Sequence, residues 1–160
     1  MKIKEGEIYM ENEALQDKWP EIGAYCWGCG RKNEHGLQIK SYWEGDECVC
    51  TWKPKRYYCA YPGRGCGGII ATILDCHCLN TAASAAYRVE GREIGTDPVN
   101  AYATGTLVVK FLRPTPLNKP WVFRARIKKM EERKTTVTCS LFVKEKECAN
   151  GEIVAVRIKM

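Results

Sequence analysis

Asp75 is a single carboxylate in an otherwise apolar and small-residue run, Gly67-Gly68-Ile69-Ile70-Ala71-Thr72-Ile73-Leu74-Asp75 followed by Cys76-His77-Cys78-Leu79. Burial makes a lone charge costly, so an acid among such neighbours needs a use. Eight residues earlier, Gly67 and Gly68 open the same run. Glycines at the start of a helix leave backbone N–H groups open to a ligand, at the positive end of the helix dipole. That is an oxyanion or phosphate site in outline. A buried acid with bare amides points to acyl chemistry. The glycines would serve a tight turn or close helix packing equally well, and the carboxylate a salt bridge; their pairing favours the chemical role.

The neighbouring residues offer other chemistries. Cys66 stands where a helix N-terminus lowers a thiol pKa, but a thiolate nucleophile needs an adjacent base, and no partner histidine is evident. His77 lies two positions from Asp75, about 200° round a helix, so the two form no intrahelical dyad. It shares a stripe with Ile70, Ile73, Leu74 and Thr81, which suits a hydrogen-bonded core histidine; its other reading is a residue lining an acyl pocket. Cys26-x-x-Cys29 resembles half a zinc site, with Cys76, His77 and Cys78 as a conceivable second half. On a helix Cys76 and Cys78 diverge by about 200°, no four-ligand pattern results, and no metal is expected. His35 is most simply a loop residue. Arg64 and Arg113, with Lys53, Lys55 and Arg56, could meet the phosphates of an anionic substrate, although solvation explains each one.

These residues require one long helix, expected over 67–88, and a sheet to bury it. A short polar helix over 11–19 is stopped by Pro20. Strands are expected over 37–43 and 47–52, joined by Glu44-Gly45-Asp46, and after the helix over 100–112, 120–130, 134–144 and 151–159. The third of the later strands alternates Val137, Cys139, Leu141 and Val143 against Thr136, Thr138, Ser140 and Phe142. Asn150-Gly151 reads as the turn before the last strand. The layout is hairpin, helix, then antiparallel meander, an α+β domain. One helix cannot cover both faces of such a sheet, so the sheet curls round it or a second copy covers the rest.

At 160 residues the chain suits one domain with its own core. Residues 1–24 read as an N-terminal extension and 25–160 as the domain. No run approaches 18 apolar residues, and the first residues have no apolar signal-peptide core, so a cytoplasmic location without membrane attachment is the expectation. Ten cysteines in such a chain read mostly as reduced, buried small hydrophobes. The net charge of +6 is spread out, with no nucleic-acid reader motif, and suits a solvated surface that attracts an anionic small molecule.

Three motifs in order, Cys26-x-x-Cys29-Gly30-x-x-Asn33-x-x-Gly36-Leu37, then Gly67 to Asp75, then Thr104-x-x-Leu107-Val108-Val109-Lys110-Phe111-Leu112-Arg113-Pro114-Thr115-Pro116-Leu117, resemble the hotdog-fold acyl-CoA thioesterase superfamily. The match is to its phenylacetate-pathway type branch and runs from about Cys26 to the C-terminus. The resemblance implies a sheet wrapped round a long helix, in a homodimer or dimer of dimers whose active sites lie at the subunit interface. It maps the amide that polarises the thioester carbonyl to Gly67, with Gly68 adjoining. The catalytic carboxylate, contributed by the other subunit as general base or nucleophile, maps to Asp75, and a hydroxyl that steadies the water to Thr104. The family's histidine before the glycines is Cys66 here. The implied activity is hydrolysis of an acyl-CoA thioester, with coenzyme A as part of the substrate and no other cofactor; Cys66, at the position of the family's histidine, joins Arg64, Arg113 and His77 as the candidate substrate contacts. Two rival readings are a non-catalytic acyl-CoA or CoA binding hotdog protein and a zinc-dependent interaction protein.

Overall fold

A helix with no charged residue from its start to Asp75 has no wholly polar face to give to water, and the chain encloses it in a sheet. The computed structural model describes residues 13–160. A short helix α1 (Leu15–Lys18) precedes β1 (Tyr42–Glu44) and β2 (Glu47–Trp52). The long helix α2 (Gly67–Val89) follows, and then β3 (Ala101–Phe111), β4 (Trp121–Met130), β5 (Lys134–Val143) and β6 (Lys146–Ile158). The six strands form one antiparallel sheet in the order β1-β2-β4-β5-β6-β3. This sheet packed against a single long helix is the hotdog arrangement.

The sheet's inner face supplies Cys48, Cys50, Trp121, Phe123, Val137, Leu141, Ile153 and Ala155, which bury Ile70, Ile73, Leu74 and Cys78 of α2. The Ala-rich second half of α2 lets the packed layers approach closely, and Trp43 fills the space beside it, donating from Nε1 to Ser84 Oγ at 3.0 Å. By length and composition alone α2 would cross a membrane, with a mean hydropathy of 1.3, yet 72% of that window is buried inside the protein, as in a core helix. The outer face carries polar residues such as Thr136, Thr138, Ser140 and Arg124, the composition of the solvent side of an antiparallel sheet. Six of the ten cysteines are buried and none forms a disulfide.

Three element boundaries differ from the sequence expectation. The short helix is four residues long, and the expected positions 11 and 12 lie outside the described residues. Residues 37–41 are not part of β1. Leu37 and Ile39 N–H groups bond to Trp27 and Gly28 carbonyls, Leu15 N–H bonds to Ser41 O, and Gln38 sits at φ 47°, so this stretch is tied to the cysteine loop and α1 instead. The last strand begins at Lys146, not 151, because the chain turns at Lys144 (φ 51°) and Glu145, pairing Val143 with Lys146. Asn150-Gly151 is therefore inside β6, where Gly151 faces Cys139 and Val109.

Gly151 is there for space. A Cβ on it would lie 2.7 Å from the Val108 carbonyl oxygen, which is backbone and cannot swing aside. Gly151→Ala should therefore push β3 off β6 and cost about 1–3 kcal/mol. A thermal or denaturant melt checks this, and an unchanged midpoint would contradict it.

Candidate active site

Asp75 lies half-buried on α2 and Thr104 lies on β3, which is an edge strand. The β3–β6 register shifts between Thr104 and Thr106, a bulge at Gly105, where a Cβ would come 2.8 Å from Val156 Cγ2. A bulge re-aims the side chains beside it, and Thr104 Oγ donates to Asp75 Oδ1 at 2.5 Å. Burial raises the Asp75 pKa above the ordinary carboxylate value; the Thr104 hydrogen bond opposes this, and a charge on Cys26 adds to it. A carboxylate that is partly desolvated, and held by one hydroxyl, is suited to accept a proton. Beside it runs a cleft of about 300 Å³, lined by Trp19, Leu79, Ala83, Val99 and Tyr102 among others.

Gly67 and Gly68 start α2 after Cys66, the N-cap, at φ −68° and ψ 126°. The Cys66 carbonyl accepts the Ile69 and Ile70 N–H groups, while the helix offers no acceptor to the amides of Gly67 and Gly68. Gly67 borders a groove of about 660 Å³ with Arg64, Ile70, Phe111 and Arg113. An adjoining groove of about 490 Å³ gathers Arg64, Arg113, Lys119, Lys144 and Lys146. One guanidinium nitrogen of Arg113 donates to Glu147 O at 2.6 Å. Eight residues of helix, roughly 12 Å, separate Gly67 from Asp75 within one chain, and the two border different clefts.

His77 stands apart from both. It is fully buried, with Nδ1 2.8 Å from Ser41 Oγ and Nε2 3.0 Å from Cys48 O. The carbonyl can only accept, so Nε2 carries the proton and Nδ1 accepts from the hydroxyl. Burial lowers its pKa to about 4, keeping it neutral. Both nitrogens being used inside the core, His77 serves packing in this chain and does not line the acyl pocket that the sequence reading offered it. Cys66 borders none of the clefts just described; its N–H donates to Tyr58 O at 2.9 Å.

Sequence reasoning set Cys26 and Cys29 against Cys76, His77 and Cys78 and expected no metal; the structure brings Cys76 alone of those three to the pair. Their three sulfurs lie within 4.8 Å of one another beside Asp75. Cys78 points elsewhere, toward Cys139. Nor was Trp19, which donates to Asn80 Oδ1 at the cleft wall, placed near the site. The signal in the sequence was the Cys26-x-x-Cys29 spacing itself; Gly28, between the two cysteines, is buried against α2.

The fold defines the class: a hotdog protein, with a half-buried carboxylate on its central helix. No family model matches the chain. A solved thioesterase superfamily protein from Shewanella loihica is 31% identical, with a TM-score of 0.64, over 80% of this chain and 97% of that one. The chain belongs to the thioesterase superfamily. The Escherichia coli PaaI protein of the phenylacetic acid degradation operon shares the fold at 14% identity, with a TM-score of 0.63 over 76% of this chain and 80% of that one. The curated acyl-coenzyme A thioesterase THEM4 of Xenopus laevis is 29% identical over 112 residues, 70% of this chain, which spans only 45% of that relative's length.

Proposed function

We propose that the protein hydrolyses an acyl-CoA thioester to the free acid and coenzyme A. The observation that carries this reading is Asp75: a single carboxylate on the core helix, raised in pKa by burial, held by Thr104 and open to a cleft. Two copies of the chain build each site. The Gly67 amide of one copy receives the carbonyl oxygen, and Asp75 of the other takes a proton from water as the water oxygen bonds to the carbonyl carbon. The tetrahedral intermediate then collapses, the C–S bond breaks, and coenzyme A leaves as thiolate. Support for the two-copy site comes from the 12 Å or so of helix between the two groups in one chain. Edge strand β3 supplies the surface, with Val108 and Phe111 50% and 56% exposed, as an edge awaiting a partner does. The five basic side chains of the adjoining groove suit the phosphates of coenzyme A.

The test is thiol release from short, long and aromatic acyl-CoA esters. Turnover of at least one supports the reading. Cys66 in place of the family's histidine favours a second reading, an acyl-CoA or CoA binding protein without turnover. Saturable coenzyme A binding with no thiol release across the whole panel would establish that reading and overturn hydrolysis.

A further inference from the structure

The geometry points to a zinc(II) site formed by the thiolates of Cys26, Cys29 and Cys76, with its fourth position facing the cleft that Asp75 borders. It does not depend on the thioester reading. Zinc takes thiolates at about 2.3 Å in a tetrahedron, whose sulfur–sulfur edge is therefore about 3.8 Å. The Cys26 and Cys76 sulfurs are 3.7 Å apart, and all three fit within 4.8 Å, so an ion at their centre requires only small adjustments.

The loop is shaped to deliver those sulfurs. Gly30 N–H bonds to Cys26 O at 2.7 Å, closing a tight turn between the paired cysteines, and a Cβ on Gly30 would strike Cys26 N and Ala24 O at 2.5 Å. Gly28 lies directly on the helix: its Cβ would fall 2.4 Å from Cys76 Sγ, so only glycine lets the loop bring two cysteines to a third. Cys26 is exposed, giving an ion an entry path, and the other two are progressively more buried. Soft thiolates select zinc over magnesium or calcium. All three sulfurs border the cleft, so water or a ligand heteroatom completes the tetrahedron. Bound there, the ion pins the cysteine loop to α2 next to Asp75.

The full chain, purified with a phosphine reductant and stripped with a chelator, is titrated with cobalt(II) as the spectroscopic stand-in and then with zinc(II) against a chromophoric chelator. The expected result is one equivalent per chain, intense tetrahedral d–d bands and a sulfur-to-cobalt charge-transfer band, displaced by zinc. Replacing an outer-shell partner already weakens metal binding up to about 100-fold, so Cys26→Ser, which removes a ligand at an exposed position, should weaken it at least about 100-fold. Cys59→Ser, in an exposed loop elsewhere, should leave it unchanged. Circular dichroism of each variant shows that the fold is kept. Absence of the charge-transfer band in the reduced parent overturns the site, as does binding that survives Cys26→Ser or is lost in Cys59→Ser.

Discussion

Asp75→Asn should lower kcat for acyl-CoA hydrolysis by about 10²–10⁴-fold, the usual contribution of a positioned general base. The substitution keeps the shape of the side chain and an oxygen to accept the Thr104 hydrogen bond, so the local geometry survives and only the proton acceptor is lost. Removing a half-buried charge should, if anything, ease folding. The melting temperature should accordingly hold or rise while turnover disappears. Steady-state kinetics on the best acyl-CoA of the panel, with a thermal melt of the same preparation, checks both halves. A loss smaller than about tenfold would mean that another group moves the proton.

Gly67→Pro should lower kcat by about 10²–10³-fold, the loss seen when one oxyanion donor is removed. Proline is the one residue that deletes the amide hydrogen without deleting the helix. Its ring angle suits the first helical position, and the residue before it must be extended; Cys66 already is, at φ −68° and ψ 126°. The added Cβ meets the Phe111 ring at 3.3 Å, and that ring, 56% exposed at a strand end, has room to give. Gly67→Ala adds the same atom and keeps the N–H, so it separates crowding from the missing hydrogen bond. Gly67→Ala is expected near the parent rate and Gly67→Pro far below it, with circular dichroism unchanged in both. Equal losses in the two variants would assign the effect to crowding.

The long helix and the strand meander were legible because burial imposes period on sequence. Val137, Cys139, Leu141 and Val143 alternate inward, and all four are buried. Asp75 stood out as one carboxylate in an apolar helix, and the structure gives it Thr104 as a partner. What escaped was set by contacts distant in sequence. Asn150-Gly151 carries the composition of a hairpin turn, yet the glycine serves the approach of Val108 while Lys144 makes the turn with no glycine at all. Cys76 reads as a helix residue among small neighbours, and nothing in the periodicity of α2 tells that a loop 50 residues earlier lays two more sulfurs against it. His77 was legible as a core residue from its stripe, but its partners Ser41 and Cys48 were not, since they come from a strand and its approach.

The claim that a carboxylate and an amide from different copies form one site is tested by mixing Asp75→Asn with Gly67→Pro and allowing the subunits to exchange. Each variant alone has every site broken; a mixed dimer has one site with both defects and one with neither. Statistical exchange should restore about a quarter of the parent rate, half the dimers being mixed with one working site each. A mixture that stays as inactive as its components, with exchange verified by mass-tagged subunits, would contradict the shared site.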